Sequence, residues 1–200
     1  MQTPLEFWFD FASPYSYVGA LRVEAACGAA GLPFVWRPFL LGPIFQAQGF
    51  ATSPFNTQPA RKAYMWRDLE RLCVKYGLPA FKAPAVFPQR SVLVGRLGCA
   101  LLGHPRCGDF VRAAFTAEFS AGLDLNEPPV LAGVLGQLGL EAAPWLEKAE
   151  SPEVKAQLRS FTDEAGKRGV FGAPNLFVGD ELVFGQDRLE DAIAWARAQP

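Results

Sequence analysis

Phe7-Trp8-Phe9-Asp10-Phe11-Ala12-Ser13-Pro14-Tyr15-Ser16-Tyr17 reads as a short apolar strand that runs directly into a helix. Residues 5–9 form an apolar run of strand length that ends at an aspartate. Ser13 is a favoured helix N-cap, and Pro14 suits the first helical turn, where a missing N–H costs nothing. Ser13 and Ser16 stand at the spacing of the two cysteines in a C-x-x-C redox pair, whose thiol pKa is lowered by a helix N-terminus. Both are hydroxyls here. A reactive sulfur at this site would have to arrive with a ligand.

Outward from this stretch, Tyr17, Leu21 and Ala25 recur at i, i+4 and i+8, predicting an apolar helix face that ends at Gly28 and Gly31. A second strand is expected over residues 33–39, rich in aromatic and β-branched side chains. Gly42-Pro43 and the stretch 49–59 read as a loop dense in turn residues. Helical signals then repeat over residues 61–76, 91–102, 109–119, 130–138 and 152–168, broken by Gly and Pro. Strand signals return at 175–178 and 181–184 around a Gly179-Asp180 turn, and a helix over 187–198 closes the chain. The expected organisation is α/β, with residues 1–58 and 160–200 forming one unit and 59–159 an all-helical insertion.

Composition narrows the function classes. With 200 residues, half of them hydrophobic, the chain can build a sizeable core. A net charge of −1 and the absence of any lysine or arginine run argue against a nucleic-acid partner. Residues 1–6 lack the basic start and apolar core of a secretory signal, and no stretch approaches the length of a membrane span, so the expectation is a soluble cytoplasmic protein. Cys27, Cys73, Cys99 and Cys107 are scattered, and reduced thiols are expected. Cys99, His104 and Cys107 are the only arrangement with a metal-like spacing; lacking a fourth ligand and a carboxylate partner, they lead us to expect no metal. His104 is the only histidine and lies in a Gly-His-Pro turn of the insertion, which disfavours a Ser-His-Asp triad.

The order of elements, with an X-Pro pair just before the third strand, resembles a thioredoxin fold with a helical insertion. Asp10 to Tyr17, Pro38-Phe39-Leu40-Leu41, Ser53-Pro54-Phe55-Asn56, Phe171-Gly172-Ala173-Pro174-Asn175 and Phe184-Gly185-Gln186-Asp187-Arg188 together resemble the glutathione-dependent branch of the DsbA-like superfamily. That branch comprises 2-hydroxychromene-2-carboxylate isomerases and kappa-class glutathione transferases. The resemblance implies a DsbA-like fold and glutathione as the cofactor. It matches Ser13 to the family's catalytic serine, Ala173 beside a cis-Pro174 to a glutathione-binding backbone, the segment Phe184, Gly185, Gln186 and Asp187 to the site of the γ-glutamyl end, and Asn56 to an asparagine facing the active site. A homodimer enters by analogy alone.

Physical chemistry supports the serine reading. Lowering a thiol pKa from about 8.5 by two units takes about 2.7 kcal/mol. One charge-assisted hydrogen bond and a helix terminus together are about that large. For a second, aromatic carboxylate substrate, Phe11, Tyr15, Tyr17, Phe45, Phe55 and Phe87 offer apolar surface, while Arg90 and the pair Arg61-Lys62 offer cations. Tyr15, Asn56 and Arg90 are the expected substrate contacts. Near Gln46 many family members carry a lysine, a departure that bears on which acid is accepted. Four activities stay open: isomerase, kappa-class-like transferase, thiol oxidoreductase, and a glutathione-binding module without catalysis. The missing C-x-x-C weighs against the oxidoreductase.

Overall fold

A four-stranded mixed sheet sets the architecture of the computed structural model, which describes residues 3–199. The elements run β1 (Leu5–Phe9), α1 (Pro14–Ala30), β2 (Phe34–Pro38), α2 (Leu41–Ala47), α3 (Pro54–Thr57), α4 (Pro59–Tyr76), α5 (Val92–Ala100), α6 (Cys107–Phe119), α7 (Pro128–Gln137), α8 (Ala142–Ala149) and α9 (Pro152–Lys167). They finish with β3 (Asn175–Val178), β4 (Glu181–Phe184), a short 3-10 turn at Gln186–Arg188, and α10 (Leu189–Ala198). The sheet order is β2-β1-β3-β4, with β2 parallel to β1 and both other pairings antiparallel.

Register decides where the site lies. Trp8 pairs with Asn175, and Asn175 pairs with Phe184. The exit of β1, the entry of β3 and the exit of β4 therefore meet at one end of the sheet, which gathers the Ser13 loop, Ala173-Pro174 and Gly185 from distant parts of the chain. Strand alternation sorts the core into two faces. Leu5, Phe7 and Phe9 join Leu176 and Val178 against α1, α6 and α10, while Trp8, Phe177 and Phe39 pack on the α9 side with Phe161 and Ala165.

Ser13 caps α1 as expected, with its Oγ accepting from the Ser16 N–H at 3.2 Å. The helix ends at Gly31, whose φ of 64° is the left-handed conformation that glycine accepts without strain. Gly28 lies inside α1, and Ala25 is exposed. The buried face instead runs through Ser16, Ala20, Val23 and Cys27 beside Tyr17. Neighbours on several sides, α4, α6 and α10, determine which residues are covered, and a single i, i+4 row does not describe that.

Two helices lie where the sequence reads as loop. α2 contains Gly42-Pro43 and has no side-chain cap of its own; α3 is a single turn started by Ser53. α8 also lies outside the expected helices. The expected second seam of the insertion, at 159/160, falls in the middle of α9, which continues unbroken to Lys167. One continuous core cluster also joins β1, α1 and β3 to α4, α5, α6 and α7, and a smaller cluster of Cys99, Ala100, Val154 and Leu158 lies between α5 and α9.

At Gly19 an added Cβ would lie 2.9 Å from the Phe7 ring, whereas at Gly28 it would meet nothing within 4 Å. Gly19→Ala is expected to lower unfolding stability by about 1–3 kcal/mol through overpacking. Gly28→Ala is expected to raise it by about 0.5–1 kcal/mol through helix propensity. Urea denaturation of the two variants checks the opposite signs.

Candidate active site

The centre of the site is an oxygen with two partners. Ser13 Oγ accepts from Ser16 N and donates to the Ala173 carbonyl at 3.1 Å, although the residues are 160 positions apart. The Ala173-Pro174 peptide is cis. Asn175 supports this loop from below, its fully buried amide donating to the Gly172 carbonyl at 2.7 Å. Ser13 keeps 6% of its surface accessible, while Ser16 is fully buried and its Oγ has no partner. Of the two hydroxyl residues at redox-motif spacing, only Ser13 keeps any accessible surface.

The first turn of α1 leaves one donor for a ligand. Pro14 has no N–H, Ser16 N is taken by Ser13 Oγ, and Tyr17 N by the Ser13 carbonyl at 3.2 Å. Tyr15 N–H remains, at the positive end of the helix dipole. None of the chain's own thiols can serve there. All four cysteines are free and buried. Burial pushes the Cys27 and Cys107 thiols up to about 11 and Cys99, also beside Cys107, up to about 12. His104 is committed elsewhere, its Nδ1 accepting from Arg106 N and its ring lying edge-on to Trp145.

Around this centre the expected residues divide. Tyr15 donates its hydroxyl to Asp68 on α4 at 3.1 Å, and its ring lies 6.5 Å from that of Phe55. Burial, the Asp68 carboxylate and the charge of Asp187 all raise its pKa, so the phenol stays protonated. Asn56 bridges α3 and the 87–91 segment: Nδ2 donates to the Phe87 carbonyl at 3.0 Å, and Oδ1 accepts from Lys62 Nζ at 2.9 Å. The ammonium of Lys62 also lies 5.3 Å from the Phe87 ring centroid. Arg90 is exposed and takes part in no hydrogen bond or ion pair among the described residues, so the cation set at Asn56 is Lys62. Tyr15, Phe55 and Phe87 are half-buried, whereas Phe11 and Tyr17 belong to the core, and Phe45 turns to Phe50.

At the other wall, Gly185 N donates to the Pro174 carbonyl at 3.0 Å, and Gly185 adopts a φ of 105° that disfavours any side chain. The Gln186 side chain turns inward to Arg22, whose Nη1 reaches both its Oε1 and its carbonyl oxygen at 2.9 and 3.1 Å. Arg22 also stacks on Tyr76 and pairs with Glu190. For a ligand, the segment thus offers backbone N–H groups and the exposed Asp187 carboxylate, not the Gln186 amide. Phe184 is exposed and packs on Phe171 at 4.5 Å between centroids. A shallow open hollow of about 600 Å³ among α5, α8 and α9, lined by Ala100, Lys148, Val154 and Gln157, contains none of these residues.

Sequence reasoning missed Asp10, Lys62 as the partner of Asn56, Asp68, Arg22 and Asn175. Asn175 and Asp10 carried a signal, Asn175 as the one polar residue of β3 and Asp10 as a charge directly after the aromatic run that ends β1. Arg22 and Asp68 carried none, since both look like ordinary surface charges of amphipathic helices.

Comparison with known proteins identifies the family and the fold. Residues 4–193 match the family model described as DSBA-like thioredoxin domain. The chain is 32% identical over 194 residues to a 2-hydroxychromene-2-carboxylate isomerase of Sphingobium xenophagum, covering 95% of this chain and 96% of the relative. It is 28% identical over 203 residues to glutathione S-transferase kappa 2 of Caenorhabditis elegans, covering 92% and 88%. A solved structure of a 2-hydroxychromene-2-carboxylate isomerase superposes with a TM-score of 0.85 at 26% identity, covering 96% of this chain and 94% of that one.

With every cysteine buried and its thiol pKa raised, a disulfide-type thiol reagent at pH 8 is expected to label none of the four in the native protein and all four in denaturant. Rapid labelling of a native thiol would show that the chain carries a reactive sulfur after all.

Proposed function

The chain belongs to the DSBA-like thioredoxin-domain family, and we propose that it is a glutathione-dependent isomerase of the 2-hydroxychromene-2-carboxylate type. The observation that carries this reading is the Ser13 hydroxyl at the N-terminus of α1, standing where a redox protein holds sulfur, in a chain whose own thiols are all buried. The named relatives are enzymes, and both isomerases and kappa transferases are among them.

Glutathione, when bound, supplies the nucleophilic sulfur; the protein's residues hold and orient it. Ser13 O–H turns from the Ala173 carbonyl to the sulfur, and Tyr15 N–H adds the field of the helix end. The Ala173 carbonyl and N–H are then free to pair with the tripeptide backbone in the manner of an added strand. The N–H groups after Gly185 meet the γ-glutamyl carboxylate, and Asp187 accepts from its ammonium. On the opposite wall Lys62 and Asn56 face the carboxylate of the aromatic substrate, against the rings of Tyr15, Phe55 and Phe87. A thiol held there by Ser13 and Tyr15 N–H would supply a nucleophile that can add reversibly to the conjugated carbon of the ring-opened substrate, allow rotation about the former double bond, and depart unconsumed, while Lys62 and Asn56 hold the carboxylate in place. The chemistry suits a reducing compartment such as the cytoplasm, where glutathione is kept as the thiol.

A transferase would use the same held sulfur but consume it, and the similarity to kappa-class relatives keeps that reading as the runner-up. A spectroscopic assay of the chromene carboxylate with catalytic glutathione is expected to show many turnovers per glutathione. Loss of one thiol per turnover would instead establish the transferase. Ser13→Ala is expected to cut kcat/KM by about a hundredfold, near the 2.7 kcal/mol assigned to thiol activation. It should cost only about 1 kcal/mol of stability through the lost cap. Lys62→Ala is expected to raise KM for the carboxylate with a smaller effect on kcat.

A further inference from the structure

Asp10, just ahead of the Ser13 loop, and Glu118 on α6 are both buried acids. Asp10 is 2% exposed and accepts from Ala12 N at 2.9 Å and Leu41 N at 2.6 Å, with the Ser91 hydroxyl within reach of its carboxylate. These donors belong to three different pieces of structure, the loop that carries Ser13, the start of α2, and the residue before α5. Glu118, on α6, is 1% exposed, and its Oε1 has no hydrogen-bond partner. A buried acid with an unpartnered oxygen is costly when charged. Acidic neighbours add to that cost, because Glu118 feels both Asp10 and Asp124. The ammonium of Lys82, from the loop after α4, is held by the Ala121 carbonyl, and Tyr17 of α1 directs its hydroxyl to the Pro79 carbonyl. Among the described residues no ion pair reaches Glu118.

The same contacts extend towards α3. Ser91 ends a segment whose Gln89 is bonded to the Leu123 carbonyl and the Leu125 N–H at 3.0 and 2.9 Å, and whose Phe87 carbonyl takes the Asn56 amide at 3.0 Å. Ala12, beside Ser13, is thus joined through Asp10 to the neighbourhood of Ser91, and from there the backbone of residues 87–91 leads to the Asn56 amide.

We propose that Asp10 is a positioning residue, anchored by the Ala12 and Leu41 amides, that fixes the Ser13 loop against the start of α2 and the segment leading to Asn56, and that buried Glu118, whose Oε1 has no partner, carries the proton when the two acids share one charge. Asp10 touches neither sulfur nor substrate. Its effect on the reaction rests on the function proposed above; its effect on the loop does not. Burial pushes the Asp10 carboxyl up while the Leu41 and Ala12 amides and the Ser91 hydroxyl oppose it, whereas Glu118, pushed up by burial and by the charges of Asp10 and Asp124, has no donor to oppose its own shift. Deprotonating Glu118 would place a second charge beside Asp10 and loosen the lock.

Two readouts need no glutathione. Burial raises the proton affinity of Glu118 in the folded state, so its contribution to stability is complete below its ordinary value of 4.5 and is lost as pH rises towards the folded pKa. In denaturant melts over about pH 5–8 the wild type should lose stability with rising pH more steeply than Glu118→Gln, whose amide does not titrate. Parallel curves would overturn the proton assignment. In Asp10→Asn, hydrogen-exchange protection at the Ala12 and Leu41 amides should fall by about tenfold or more, the loss of one good hydrogen bond each; unchanged protection would overturn the lock. Should that variant fail to fold, Ser91→Ala should show a smaller loss at the same amides, and protection left at the wild-type level there would equally overturn the lock. In turnover, Asp10→Asn should lower kcat far more than it raises KM, as displaced machinery does and weakened binding does not. A protein that shows both glutathione-free effects yet does not turn over the chromene would keep the lock and lose the proposed reaction.

Discussion

Ser13 Oγ makes two hydrogen bonds, to the Ser16 N–H and to the Ala173 carbonyl, and the site depends on both. The first orders the start of α1 and aligns its dipole. The second joins that helix end to the turn before β3, so the donor and the backbone edge that would flank a ligand are set by one atom. The sheet register brings these segments together in the first place, since Trp8, Asn175 and Phe184 lie in one row across β1, β3 and β4. Removing the hydroxyl would leave the fold its core and take from the site its only small, reorientable donor at the helix terminus.

The electrostatics around that oxygen are arranged by subtraction. Every native thiol is buried and made harder to ionise, and the Tyr15 phenol is kept protonated by burial and by Asp68. The helix terminus is thus left as the place where a thiolate is favoured. Cations are held at the margins: Arg22 is committed to Gln186 and Glu190, and Lys62 to Asn56. Under the proposed function, the sulfur would lie near Ser13 and the substrate carboxylate nearer Lys62.

Much of this was legible in the sequence because the informative signals are local. The apolar strand, the Ser-Pro cap, the Gly179-Asp180 hairpin and the long amphipathic helices each depend on residues a few positions apart. What stayed hidden is set by partners far along the chain. α2 begins at Leu41, whose N–H is answered by Asp10, 31 positions earlier, so no local cap announces it and Gly42-Pro43 looks like a turn. α8 likewise has no side-chain cap; it is held by packing on α5 and α9. The burial row of α1, the inward turn of Gln186 and the pairing of Lys62 with Asn56 arise the same way, from helix neighbours that local periodicity does not encode. Ser13, Ala173 and Asn56 were singled out by motif resemblance, and the structure shows Ser13 and Ala173 in contact; Asp10 and Glu118 needed the packed structure to show that both are buried.

The central claim is that this chain activates a sulfur it does not own. Its most direct test is a pH titration of the thiolate absorbance of glutathione bound to the wild-type protein and to Ser13→Ala. The bound thiol should ionise about two pKa units below the free thiol near 8.5, with most of that shift lost in the variant. Glutathione that binds with an unshifted pKa, or with the same shift in both proteins, would contradict the claim.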